Sequence, residues 1–444
     1  MNDDYNGMAS RAGNATPRYS RSEGITSYRR RRRRNRLAKT LTVLVLLAII
    51  GSAGVLFGRQ FFEQLPVPSS GGAQPEAAEG AAAEAVPDPQ PTEISIVCSG
   101  DVILNSAVVE SGRTETGTYD FSHLFAPLAK ELEHFDLRMV SQESALAGSK
   151  FGYGYSNPLN APQDLGRSEV EAGFNTVLRA TDHTLDTGFE GIHNELSWWH
   201  SEFPDVPVLG VSEPEITVYP HLTDYVDNVY IYQKEGFKVA VLNHSWGIEG
   251  EERGAVSSLD EEKATEDVRK AKELGANMIV ACAHWGAEND QNIVDEQTEF
   301  AKLYADLGVD VIIGTHPRVL QPVSVLENSK GHKTVCYYSL GCLISSLNTQ
   351  NMVGGLAEVR LVRNPDGSCA VTSAELKPVV THRGSGEDFA TYLLGDYTDE
   401  LAYSSRDGSL TPERISQSCK EILGDSYDEG RHVLVVDLAK TEKV

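Results

Sequence analysis

Short apolar, β-branched runs that stop abruptly at polar residues recur along the chain. The clearest lies in 309–321, where Val309, Val311, Ile312 and Ile313 lead through Gly314 to His316. Such a run suits a strand buried on both faces. A polar side chain just past the carboxyl end of a strand in an open α/β sheet commonly faces a ligand crevice. Residues 277–283 run into His284-Trp285-Gly286 in the same way, and 174–178 run through Arg179-Ala180 into Thr181-Asp182-His183. Ile94, Ile96 and Cys98 alternate with polar residues and lead to Gly100-Asp101, while 136–140 lead to Ser141-Gln142-Glu143. Five strand ends therefore deliver Asp, Glu, Asp-His, His and His.

Helical patterns separate these runs at 123–132, 168–172, 192–199, 261–274 and 297–307, and a hairpin is expected across 226–232 and 237–242. Late strands are expected at 335–338, 356–362 and 432–436, with a helix at 412–422. Strand alternating with helix predicts an α/β sandwich. The Gly-, Tyr-, Asn- and Pro-containing loop 151–162 is a candidate rim for a site. No internal repeat is visible.

The first 92 residues follow a different pattern. Residues 1–28 are polar and expected to be disordered. An unbroken arginine run at 29–34 precedes 41–58, which carry no charge and are just long enough to span a bilayer as a helix. A buried core helix and a cleaved signal peptide are the rival readings. Six arginines at one end disfavour the first, and the long leading region with no clear small-x-small site near Arg59 disfavours the second. The positive-inside rule then leaves the arm 1–40 cytoplasmic and puts the rest outside the cell. Residues 59–92 read as a Pro-, Ala- and Glu-rich linker, 93–385 as the main domain, and 386–444 as a carboxyl-terminal extension packed on it.

Net charge is -25, yet residues 1–60 hold twelve Lys/Arg against three Asp/Glu, so the remainder carries -34. An acidic body argues against nucleic acid as a partner of the folded part. The six cysteines form no Cys-x-x-Cys pair, which disfavours a zinc ribbon or thioredoxin motif. Asp, Glu and neutral His together are ligands for Mn, Fe or Zn. Each such residue alone is weak evidence; their shared position after an apolar run is the stronger signal.

The order of motifs resembles the bacterial capsule-synthesis CapA family, whose founding members serve poly-γ-glutamate capsule production and which looks like a branch of the calcineurin-type metallophosphoesterases. The resemblance runs from Glu93 to Val380 and rests on Ser99-Gly100-Asp101, Ser141-Gln142-Glu143, Asp182-His183-Thr184-Leu185-Asp186-Thr187-Gly188, His284-Trp285-Gly286-Ala287-Glu288, and Thr315-His316-Pro317-Arg318-Val319-Leu320-Gln321. It implies a four-layer α/β/β/α sandwich with two mixed sheets, which the one transmembrane helix read above would precede. It also implies a pair of metal positions, one held by Glu143, Asp182, His284 and His316 and the other by Asp101, Glu143 and residue 318, of which this chain is expected to fill one with a divalent ion (Mn, Fe or Zn). Where the family usually has His-Pro-His, this chain has His316-Pro317-Arg318. A guanidinium does not ligate a cation, so Arg318 is expected to take a second cation's place and pair with Asp101, or to clamp a substrate phosphate or carboxylate. The implied function is the synthesis, export or anchoring of poly-γ-glutamate or a related anionic envelope polymer, with the membrane and the polymer or its synthase as partners. Two alternatives stand beside it. One is a metal-dependent phosphoester or amide hydrolase with His183 as general acid, oriented by Asp186, and water as nucleophile. The other is a non-catalytic scaffold with a degenerate site.

Overall fold

The computed structural model describes residues 90–155, 158–212, 225–226, 228–248, 254–386 and 388–444. The arm 1–40, the expected span 41–58 and the linker up to residue 89 lie outside the described residues. Among the described residues, no helix is long and apolar enough to cross a membrane.

Two mixed sheets face each other. In the first, β1 (Thr92–Val102), β2 (Leu137–Gln142) and β3 (Thr176–Leu178) run parallel. On the other side of β1 the sheet turns antiparallel through Val353–Arg363 and Cys369–Arg383. In the second sheet β4 (Phe237–Ser245), β5 (Met278–His284), β6 (Val311–Thr315) and β7 (Lys333–Tyr337) run parallel. Antiparallel strands Val229–Lys234 and Val323–Glu327 flank them.

Side-chain alternation builds the layers. Ile94, Ile96 and Cys98 of β1 share one buried cluster with Val239 and Val241 of β4 and with Met278, Val280 and Cys282 of β5. The intervening residues point the other way. Val97 of β1 joins Phe121, Leu124 and Leu196 under the helices of the first sheet. Ile279, Ala281 and Ala283 of β5 meet Val268 and Tyr304 of helices Glu261–Glu273 and Asp295–Leu307. A strand buried on both faces needs apolar residues at every position, which is what the continuous runs encode.

Several elements depart from their expected bounds. The helix expected at 123–132 is two short turns, Ser122–Phe125 and Ala129–Leu132. Pro127 lies between them and cannot donate the hydrogen bond a continuous helix requires. The expected hairpin forms, as Val229–Lys234 paired with β4. Residues 87–444 form one compact unit, and the part after 386 supplies strands to both sheets. Phe389–Leu393 and Val433–Val435 pair with Cys369–Arg383, and Glu442–Lys443 lies beside Val323–Glu327. All six cysteines are free thiols, and five of them are buried.

Candidate functional site

The carboxyl ends of the parallel strands of both sheets meet, and the residues expected to carry chemistry lie there. β5 ends in His284, whose backbone carbonyl accepts from Trp246 N at 2.9 Å, just past β4. β6 ends at Thr315. Gly314 within it is required by close packing, because a Cβ there would stand 2.0 Å from the Tyr338 carbonyl oxygen and 2.5 Å from Trp285 Nε1. The turn beyond carries His316 at φ 92° and Arg318 at φ 61°, left-handed conformations that side chains resist. Three consecutive residues of that turn are tied down. His316 N donates to Asp101 Oδ2 at 2.8 Å, the Pro317 carbonyl accepts from Asn289 N at 2.8 Å, and the Arg318 carbonyl accepts from Asn351 Nδ2 at 3.0 Å.

Asp101 is fully buried, and both its oxygens are engaged, since Oδ1 accepts from Ser141 Oγ at 2.7 Å. It lies 3.8 Å from His284 Nδ1. His284 is buried, with Nδ1 3.0 Å from Thr315 Oγ1, Nε2 2.9 Å from Asp182 Oδ1, and Nε2 3.2 Å from His316 Nδ1. His316 Nδ1 is itself 3.6 Å from Asp182 Oδ1. Donor atoms of Asp182, His284 and His316 thus lie within 4.8 Å of one another. A second group, Glu143, Asp182 and His183, meets the same limit and shares Asp182 with the first. Asp101 is in neither group.

Arg318 does not pair with Asp101 as expected. Its Nη2 donates to Glu143 Oε1 at 2.7 Å and lies 3.1 Å from His183 Nε2, while Nη1 pairs with Glu288 Oε2 at 2.9 Å. Glu288, four residues after His284, lies in the same motif, but its role depends on a residue thirty positions later and carried no local signal. Thr315 and Ser141 were likewise missed, because a hydroxyl residue at a strand end is commonplace. His183 Nδ1 is 2.9 Å from Asp186 Oδ2, which also accepts from Leu159 N at 2.8 Å. Together these contacts require the Nδ1–H tautomer of His183. For His183 to give up a proton at Nε2, that nitrogen must first be protonated and the Arg318 contact released.

Burial and neighbouring charges set the protonation of these groups. Burial pushes the Glu143 carboxyl up to about 8, with the charge of Asp101 adding to it and that of Arg318 opposing. Glu143 Oε2 is buried without a hydrogen-bond partner. Burial lowers His284 below the usual imidazole range, keeping it neutral as a ligand must be. Burial acts against the charge of Asp182, but hydrogen bonds from His284 and His316 hold its carboxyl well below the usual range. Burial also opposes charge on His316 and His183, and their carboxylate neighbours Asp182 and Asp186 more than offset it, raising both. Two imidazoles and a carboxylate converging in this way are a donor set for one divalent metal, so the first group fits an ion.

The chain is 26% identical over 253 residues to "PGA biosynthesis protein CapA" of Bacillus subtilis (strain 168), a match covering 54% of this chain and 62% of that one. It is 25% identical over 260 residues to "Capsule biosynthesis protein CapA" of Bacillus anthracis, covering 56% and 59%. The chain therefore spans about three fifths of the length of these curated relatives. Among solved structures it shows a distant likeness to the calcineurin-like phosphoesterase YfkN of Bacillus subtilis, with TM-score 0.38, 15% identity, and coverage of 75% of this chain and 97% of that one. The profile of the family described as bacterial capsule synthesis protein PGA_cap matches residues 95–346, more than half of the chain and every strand end described above, and the protein belongs to that family.

Proposed function

We propose that this protein takes part in the synthesis, export or anchoring of poly-γ-glutamate or a related anionic envelope polymer, as a membrane-anchored protein whose folded domain lies outside the cell. The family match over residues 95–346 carries this reading. Both curated relatives are named for capsule or PGA biosynthesis. The arginine run 29–34 and the uncharged stretch 41–58 support the anchor and its orientation. Deletion in a strain that makes poly-γ-glutamate should lower the surface polymer, and the full chain supplied in trans should restore it. Unchanged polymer in the deletion strain would count against the reading. Protease added to intact cells should remove the folded domain, and complete protection would argue against the topology.

The convergence of Asp182, His284 and His316 favours a second, compatible reading, in which the site is a metal-dependent hydrolase. A divalent ion held by these three would polarise a phosphoryl or carbonyl oxygen. Thr315 orients His284, Asp101 fixes the turn bearing His316, and Asp186 holds the His183 ring. Replacing His284 with Ala should remove the ion. If polymer production then persists at the wild-type level, the metal is not needed for the envelope role.

A further inference from the structure

We propose that Arg318 is a built-in substitute for a second cation, so that this site takes one divalent ion where its donors would otherwise accommodate two. The inference rests on the reading that Asp182, His284 and His316 hold an ion. Two donor groups meet at Asp182, and only the second contains a guanidinium. Arg318 Nη2 stands 2.7 Å from Glu143 Oε1 and 3.1 Å from His183 Nε2, two of the three residues of that group. His183 Nε2 lies 3.6 Å from Glu143 Oε1 and 3.7 Å from Asp182 Oδ2, so two of the group's donor atoms, those of Glu143 and His183, are already engaged with the guanidinium nitrogen. A metal ion bound there would need the same lone pairs at about 2.0–2.2 Å. Arg318 stays charged and would repel it.

The guanidinium is also anchored. Nη1 is held by Glu288, and the Arg318 carbonyl by Asn351. Swinging the side chain out would leave Glu143, a wholly buried carboxylate, without its only hydrogen-bond donor among the described residues. A buried carboxyl left with neither oxygen hydrogen-bonded is destabilising. Arg318 thus performs the organising role of an ion. It holds Glu143 and His183 in place and offsets their negative surroundings, while contributing no open coordination position. The donors of the second group do not fit a metal while it is present.

The test is metal stoichiometry on the purified full chain, stripped with chelator and titrated with Mn(II) or Zn(II) alone, with bound metal measured directly. The wild type should bind one ion per chain, His284→Ala none, and Arg318→His two. Glu143→Gln should retain the single ion with affinity within about tenfold, because Glu143 serves the guanidinium and not the first ion. Two tight ions in the wild type would overturn the role of Arg318 and leave the metal reading intact. No ion in the wild type would overturn the metal reading itself. One ion in a folded Arg318→His variant would show that the guanidinium is not what excludes the second. If that variant fails to fold, Arg318→Gln decides: it removes the charge and frees Glu143, Asp182 and His183, so two ions are expected, and one ion in the folded Arg318→Gln variant overturns the proposal, as does loss of the single ion in Glu143→Gln.

Discussion

His316 and Arg318 hold positive φ angles, with an energetic cost on the order of 1–3 kcal/mol for each non-glycine residue in such a conformation. The strain persists because Asp101, Asn289 and Asn351 fix the turn from three directions. Substituting His316 with Gly relieves the strain at φ 92°, keeps the backbone N–H to Asp101, and removes one of three donors. The variant should melt no lower than wild type, yet bind a divalent ion at least about 100-fold more weakly. A clear fall in Tm would mean that the ring, not the metal, is what the conformation serves. Thr315→Val tests the neighbouring contact. Its shape is conserved but His284 Nδ1 loses its partner, so metal affinity should fall about 10- to 100-fold in titration while the fold persists. The residues that converge on the candidate site were legible in the sequence because each follows an apolar run. The residues that orient them were not, since Ser141 and Thr315 act only through contacts that the two sheets create.

Among elements, the parallel strands were the most legible, because a strand covered on both faces leaves an unmistakable apolar run. The broken helix at Ser122–Phe125 and Ala129–Leu132 could also have been read, from Pro127 alone. What joins neighbouring strands is less visible. Asp310, just before β6, accepts from Ile279 N through Oδ2 at 2.7 Å, donates its own N–H to the Ile279 carbonyl, and receives Val335 N on its carbonyl. It therefore ties the starts of β5, β6 and β7 together. Burial pushes its carboxyl up to about 6, with the Ile279 N–H and His332 opposing. Its folded value lies above the unfolded one, so the folded state holds the proton more tightly. Stability from this group is present below about pH 4 and is lost as pH rises through about 6. Asp310→Asn keeps an acceptor for Ile279 and removes the buried charge. It should stabilise the protein by roughly 1–2 kcal/mol at pH 7.5 and much less at pH 4.5. Chemical denaturation of both proteins at the two pH values measures the difference, and an equal effect at both would show that the buried charge is not its source.

For the whole molecule, residues 386–444 were expected as an extension packed on the main domain, and the fold builds them into both sheets and into the central core. Leu394, Tyr397, Leu410, Ile415, Cys419, Leu423, Tyr427 and Leu434 are buried in the same cluster as β1, β4 and β5, between the two sheets. The helix Pro412–Leu423 is capped for its position, with Thr411 accepting from Arg414 N and Pro412 in its first turn. Its apolar face supplies Ile415, Cys419 and Leu423 to the core. This was hard to read from the sequence, because the segment is short-stranded and mixed, and its burial depends on pairing with Cys369–Arg383 far back in the chain. The consequence is testable by truncation. Each fully buried large apolar side chain contributes about 1.5–3 kcal/mol, and the net stability of a domain is about 5–15 kcal/mol. Removing 386–444 strips several such side chains and uncovers the central core, so a chain ending at 385 should lose its cooperative thermal transition and expose apolar surface to a hydrophobic dye. The single change Tyr427→Ala should act in the same direction on a smaller scale. It leaves a cavity against the core and costs on the order of 3–5 kcal/mol, while sparing the metal-binding stoichiometry of whatever fraction is folded. A truncated chain that melts cooperatively near the wild-type temperature would show that the carboxyl-terminal strands are ornament on a core complete without them.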